Sequence, residues 1–218
     1  MKHNENYPVT VLCYGDSNTF GFAPQLEGER YGTHQRWTRL LQKKLGAGWD
    51  VIEEGLNGRT TIYERPDGFW KSGLPYFVPC LISHKPIDFL VLMLGTNDCN
   101  ADLHLTERDI AAGMEKLVTL AESTLMEEQG FVPKIVVVAP AAIRPELAGT
   151  PYEEQLDEYS VEKSRLLAPL YKELAERRGC LYLDATGIDV LALDCEHLSE
   201  QGHKQLAEML YDTISSAR

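Results

Sequence analysis

Two kinds of hydrophobic pattern alternate along the chain. Short, largely apolar runs occupy residues 9–14, 49–53, 87–94, 134–139 and 180–183, and longer stretches between them repeat their apolar positions every three or four residues. The short runs have the length of strands. In Phe89-Leu90-Val91-Leu92-Met93-Leu94 and Ile135-Val136-Val137-Val138 both faces are apolar, the signature of central strands in a parallel sheet covered by helices on both sides. Helical spacing marks residues 34–45, 106–126 and 154–177, and a last helix after Ser199. Ile110, Met114, Leu117, Ala121 and Leu125 share one face of the second, which Thr106 and Asp109 can open with a capping box. Ser199 is the expected N-cap of the last, with Leu206, Leu210 and Ile214 turned inward. Pro169 is expected to break or kink the third near Ala168.

Strands alternating with helices predict an α/β fold built of βα units around a parallel sheet. The 218 residues suffice for one sizeable core and are short for two, and no repeat, low-complexity tract or linker divides them. A single domain over 1–218 is therefore expected, with its longest irregular regions at 23–32, 61–73 and 140–152.

Charge narrows the partners. With 21 basic and 33 acidic residues the net charge is −12, which argues against nucleic acid and anionic membranes. No run approaches the roughly 18 apolar residues of a membrane span, and the polar residues 1–6 do not resemble a signal segment. Five cysteines without a C-x-x-C pair fit reduced thiols in a cytoplasm. Neither the cysteines nor the histidines show a metal-ligand spacing, so no metal is expected.

The chemistry gathers after the strands. Gly15-Asp16-Ser17-Asn18-Thr19 follows the first, Gly55 to Thr60 the second, Gly95-Thr96-Asn97-Asp98 the third, and Asp194-Cys195-Glu196-His197 lies beyond the fifth. The carboxyl ends of parallel strands form the ligand crevice, so these segments should meet there. A serine hydroxyl becomes a useful nucleophile when a neighbouring imidazole takes its proton, which casts Ser17 as nucleophile, His197 as base and Asp194 as the carboxylate that orients it. The Ser17 amide, the Gly58 amide and the Asn97 side chain supply candidate donors for the oxyanion. Asp16 and Asp98 are expected to brace their loops, and Arg59 to pair with a carboxylate such as Glu53 or Glu54. His203 reads as a helix or subunit contact. Ser160-Val161-Glu162-Lys163 fits S-x-x-K, but no S-D-N or K-T-G follows, and chance explains it better. No G-x-S-x-G elbow, Walker loop or H-E-x-x-H is present.

These four blocks, in this order, resemble those of the SGNH (GDSL-type) hydrolases. The segments Val51-Ile52-Glu53-Glu54-Gly55-Leu56-Asn57-Gly58-Arg59-Thr60-Thr61 and Met93-Leu94-Gly95-Thr96-Asn97-Asp98 are similar to the branch of small arylesterases and acyltransferases. The resemblance implies a three-layer α/β/α sandwich with a central, mostly parallel five-stranded sheet of flavodoxin-like kind. It also implies Ser17, Asp194 and His197 as the catalytic residues, Ser17, Gly58 and Asn97 as the oxyanion hole, and no metal or organic cofactor. Asn18 stands where many relatives carry an apolar residue, and is expected at the pocket wall. Among the bulky residues after Gly58, Trp70 and Phe77 are expected to contact substrate, with core packing or a subunit interface as the other readings.

The function expected is that of a carboxylic ester hydrolase working through an acyl-serine on a small-molecule ester, with acyl transfer open if an alcohol replaces water. Short acyl groups should be preferred, because no long apolar insertion or amphipathic lid is visible. A carbohydrate deacetylase is the alternative within enzymes. A catalytically silent binding protein on the same fold is the alternative outside them. Small size and aromatic-rich loops fit a homo-oligomer.

Overall fold

A computed structural model describes residues 8–27 and 29–217; the polar residues 1–6 lie outside the described residues. In chain order the elements are β1 (Val9–Gly15), α1 (Ser17–Phe20), β2 (Phe22–Ala23), β3 (Glu29–Arg30), α2 (Trp37–Leu45), β4 (Trp49–Gly55), α3 (Gly73–His84), β5 (Phe89–Met93), α4 (Glu107–Gln129), β6 (Lys134–Ala139), α5 (Glu158–Arg178), β7 (Leu181–Asp184) and α6 (Glu200–Ser216). Five strands form one parallel sheet in the order β4-β1-β5-β6-β7, while β2 and β3 make a separate antiparallel pair.

Alternation along the strands divides the core in two. Leu12, Tyr14, Leu90, Leu92, Ile135 and Val137 pack with residues of α3, α4 and α5, whereas Val11, Cys13, Val91, Val136 and Val138 pack with residues of α2 and α6. Both faces of the central strands are therefore dry, as their unbroken apolar runs require. The chain moves outward from β1 in both directions, to β4 on one side and β5 on the other. That reversal opens a crevice at the carboxyl ends of β1 and β5. Ser17 follows one of these strands and Asn97 the other.

Most elements follow local rules. Thr106 and Asp109 form the expected capping box of α4, and Ser199 caps α6 through the Gly202 amide, with Leu206, Leu210 and Ile214 fully buried. The 34–45 expectation shortens to Trp37–Leu45. His203 Nδ1, on α6, accepts from the Trp37 amide at 3.3 Å; burial pushes that imidazole down to about 3, so it stays a neutral acceptor. Ser160 belongs to the capping box of α5 with Asp157, and Lys163 donates to the Leu105 carbonyl.

One expectation fails, at Pro169. α5 runs unbroken through Pro169. Proline removes one bond, to the carbonyl of Arg165, and both residues lie on the exposed side of the helix, where water can take that carbonyl. The buried side, with Leu167, Tyr171 and Leu174, holds the helix on the sheet. The sequence pattern assigns no element to α3, whose Pro75 and Pro79 obscure a helical pattern; Ser72 caps it, and Phe77, Cys80 and Leu81 bury its inner side.

Candidate active site

The Ser17 turn is built from small residues at fixed positions. Asp16 caps α1 by accepting from the Asn18 amide at 2.9 Å. A Cβ on Gly15 would come within 2.1 Å of Thr19 Oγ1 and 2.9 Å of the Met93 carbonyl, so only glycine lets the chain turn this tightly against β5. Ser17 is left at the N-terminus of a single helical turn, with its side chain facing the loop after β7.

That loop presents two of its side chains to each other. Cys195 takes a left-handed conformation (φ 68°), and Asp194 and His197 fall on the same side of the turn. His197 Nδ1–H donates to Asp194 Oδ2 at 2.7 Å, and Asp194 Oδ1 also accepts from the His197 and Glu196 amides at 3.1 and 3.3 Å. His197 Nε2 is 2.8 Å from Ser17 Oγ. With Nδ1 committed to the carboxylate, the lone pair of Nε2 faces the serine proton. Burial alone would raise the Asp194 carboxyl, but the hydrogen bond and charge of His197 outweigh it and hold the group below the usual carboxylate range. For His197, burial disfavours the imidazolium. The Asp194 hydrogen bond and the charges of Glu196, Asp194 and Asp16 outweigh it and lift the ring above the ordinary histidine value.

Asn18 ties these two loops together. Its Nδ2 donates to the Glu196 carbonyl at 3.3 Å and its Oδ1 accepts from the Leu198 amide at 2.8 Å, one on each side of His197. Its own carbonyl accepts from Trp37 Nε1 at 3.1 Å. Buried and fully engaged, Asn18 holds the histidine loop and is not part of the pocket wall, which corrects the expectation of a substrate contact.

The other side of Ser17 is made by the loops after β4 and β5. Gly58 has a positive φ (78°), which turns its amide away from the neighbouring backbone. Asn97 Nδ2 donates to the Arg59 carbonyl at 3.1 Å, and that bond fixes the orientation of its amide. Asp98 accepts from the Thr61 amide at 3.0 Å and from Thr61 Oγ1 at 2.5 Å, bolting the two loops together; burial pushes its carboxyl up to about 6, and does the same to Asp16. Both aspartates brace loops, as expected. Arg59 is structural too, but its partners are carbonyls: Nη1 donates to Gly15 O at 2.8 Å and to Glu54 O, and the guanidinium lies 4.1 Å from the centre of the Tyr14 ring. Glu53 is instead taken by Arg36 and Arg39. Among the described residues, no protein acceptor meets the Ser17 or Gly58 amide.

A cleft of about 320 Å³ opens on this point, lined by Ser17, His197, Gly58 and Asn97 together with residues that sequence reasoning missed. Phe22 and Tyr152 place their rings 4.7 and 6.0 Å from the His197 ring. Leu156 adds the remaining apolar side chain, and Asn57, Thr96, Asn100 and Gln155 are polar. Asp67 bridges Arg65 and Lys71 at 2.9 and 2.5 Å, and these two cations hold its carboxyl down to about 2. Glu196 also lines the cleft; burial pushes it up to about 7, with Oε1 3.7 Å from His197 Nδ1. Tyr152 closes the irregular region after β6, so its position past a strand end was a usable signal; Phe22 carried none.

Trp70 and Phe77 do not reach the cleft. Phe77 is fully buried under the sheet, edge-on to Tyr14 at 4.9 Å, because the turn of α3 directs it into the core. Trp70 is 57% exposed against Phe69, and the side chain of the next residue, Lys71, covers Gly58 in its place.

Fold and site together define a serine ester hydrolase on a three-layer α/β/α frame. The chain belongs to the GDSL-like lipase/acylhydrolase family, whose model matches residues 13–210. It is similar to Est24, a carbohydrate acetylesterase from Sinorhizobium meliloti, at 35% identity over 96% of this chain and 100% of that one, with a TM-score of 0.89. It is similar as well to the aryl esterase of M. smegmatis, at 34% identity over 95% and 99% of the two chains, with a TM-score of 0.88. No match is found among curated proteins. No helix among the described residues is long and apolar enough to cross a membrane.

Proposed function

We propose that Ser17 is the nucleophile of a short-chain ester hydrolase, His197 its base and Asp194 the partner of that base. The observation that carries this reading is the unbroken chain Ser17 Oγ, His197 Nε2, His197 Nδ1, Asp194 Oδ2, each link 2.8 Å or shorter. Ser17 Oγ attacks the ester carbonyl as its proton passes to Nε2. The Ser17 and Gly58 amides and Asn97 Nδ2 receive the oxyanion, a term worth roughly 3 kcal/mol per donor in comparable sites. The imidazolium then protonates the departing alcohol. A water, deprotonated by the same nitrogen, releases the acid from the acyl-serine, and an alcohol in its place makes the enzyme an acyltransferase.

The size of the cleft and its three apolar side chains suit an acetyl to butyryl group. Its polar remainder favours a second reading for the alcohol half, an acetylated carbohydrate, whose hydroxyls the asparagines and Gln155 can meet. The acetylesterase named above supports the same choice. Residues 1–218 act as one domain in this proposal. Five unpaired thiols support a reducing compartment such as the cytoplasm, and the exposed Phe69 and Trp70 support self-association.

Two measurements test the proposal. A fluorophosphonate should modify Ser17, read by mass spectrometry of the digested protein; an unlabelled Ser17 in folded protein removes the nucleophile assignment. Along acetyl, butyryl and octanoyl nitrophenyl esters and acetylated sugars, kcat/KM should favour the short or sugar esters. A steady rise with chain length, on the order of fivefold or more per methylene, would instead reveal an apolar acyl channel.

A further inference from the structure

β4 is an edge strand, and the side chain of Glu54, near its carboxyl end, turns toward α3. It meets one stripe of that helix. Tyr76, Cys80 and His84 follow one another at intervals of four residues, the spacing that stacks side chains on one helical face. His84 Nε2 donates to Glu54 Oε1 at 2.8 Å, and the Tyr76 hydroxyl donates to the same oxygen at 3.3 Å. One ligand atom each from Glu54, Cys80 and His84 lies within 4.8 Å of the other two. None of these groups takes part in the ester chemistry.

A bond between histidine and carboxylate joins two of the three, and Cys80, buried on the same helical face, brings its sulfur to the same point. A thiol, an imidazole and a carboxylate are three different donors, brought together from two elements, and this combination selects among metals. Magnesium and calcium prefer oxygen alone, whereas a tetrahedral ion of intermediate softness accepts sulfur, nitrogen and oxygen together. Zinc bonds of about 2.3 Å to sulfur and 2.0 Å to nitrogen or oxygen set donors roughly 3.3–3.6 Å apart, so separations of at most 4.8 Å need adjustments of up to about 1.3 Å. Access exists as well: the His84 and Glu54 side chains are 27% and 19% exposed, so an ion can enter from solvent while Cys80 stays buried behind them.

We propose that Glu54, Cys80 and His84 bind a zinc ion that staples β4 to α3, with water in the fourth position on the Tyr76 side. On binding, the Cys80 thiol gives its proton to the buffer, the hydrogen bond from His84 Nε2 to Glu54 breaks as that ring proton is exchanged through solvent to Nδ1, and the bonds from sulfur, Nε2 and the carboxylate oxygen to zinc form. The sequence shows no ligand spacing here, because Glu54 joins Cys80 and His84 only through the fold.

The test uses the full chain, tag-free, reduced and stripped of metal, titrated with cobalt(II) and then zinc. One equivalent of cobalt should produce thiolate-to-metal absorption, zinc should displace it, and zinc should raise Tm. Cys80→Ser should lose that absorption. His84→Gln should weaken binding by on the order of 100-fold or more, since loss of a mere outer partner already costs about 10- to 100-fold. The proposal fails if wild-type protein gives no thiolate absorption, if Cys80→Ser keeps it, or if His84→Gln binds as tightly as wild type. Should Cys80→Ser not fold, as circular dichroism would report, the more exposed His84→Gln decides alone.

Discussion

On one side of the Ser17 hydroxyl the polar atoms are paired, and on the other the amides wait without partners. Asp194 accepts three hydrogen bonds, His197 uses both ring nitrogens, and Asn18 spends its whole side chain on the loop that carries them. Across the hydroxyl, the Ser17 and Gly58 amides face no protein acceptor among the described residues. The contrast follows from when charge arrives. The proton side must hold a base in one tautomer before substrate binds, so saturation helps it. The oxyanion side meets its charge only in the transition state, and donors already satisfied would have nothing left to give.

The largest effect should come from unsettling the saturated side. Asp194→Asn presents an amide to Nδ1 and favours the wrong tautomer, so kcat should fall by on the order of 10⁴-fold with the fold intact; an unchanged kcat would mean that another carboxylate orients His197. Removing a donor from the other side should cost less; Asn97 gives one Nδ2 hydrogen to the Arg59 carbonyl and has the second left for the oxyanion. Asn97→Ala should lower kcat by about 10²- to 10³-fold with KM nearly constant, whereas a rise in KM alone would make Asn97 a binding group and erase the contrast.

Asn18→Leu tests whether the clamp belongs to the proton side. We expect kcat to drop roughly tenfold without a change in KM, because a misplacement of about 1 Å can cost up to 10²-fold. A KM effect would return Asn18 to the pocket wall. The smallest change concerns pH. Activity requires neutral His197, whose imidazolium is favoured by Asp194, Glu196 and Asp16, so the acid limb of kcat/KM should lie above the ordinary histidine value, with activity lost as pH falls through it. Glu196→Gln removes one of those charges and should move the limb to lower pH. A limb that stays in place would show that Glu196 carries no charge near the ring.

The strands, the caps of α4 and α6 and the four chemical blocks were legible because each is written in neighbouring residues. What failed depended on direction. Pro169 sits harmlessly on the solvent side of α5, and Phe77 points into the core, facts set by the rotation of a helix about its axis. Asn18 read as a pocket residue because its partners, Glu196 and Leu198, lie about 180 positions away. Phe22 reaches the cleft from the two-residue strand β2 and Leu156 from the loop before α5, and no local pattern specifies either path.

That long separation has a consequence for biosynthesis. Ser17 leaves the ribosome early, but the two hydrogen bonds from Asn18 have nothing to grip until residues 196 and 198 emerge. At about 5–20 residues per second, the nucleophile waits roughly 10–40 s for its base. A growing chain carries the serine as an ordinary alcohol throughout that interval, and the first turnover reports that the two distant loops have met.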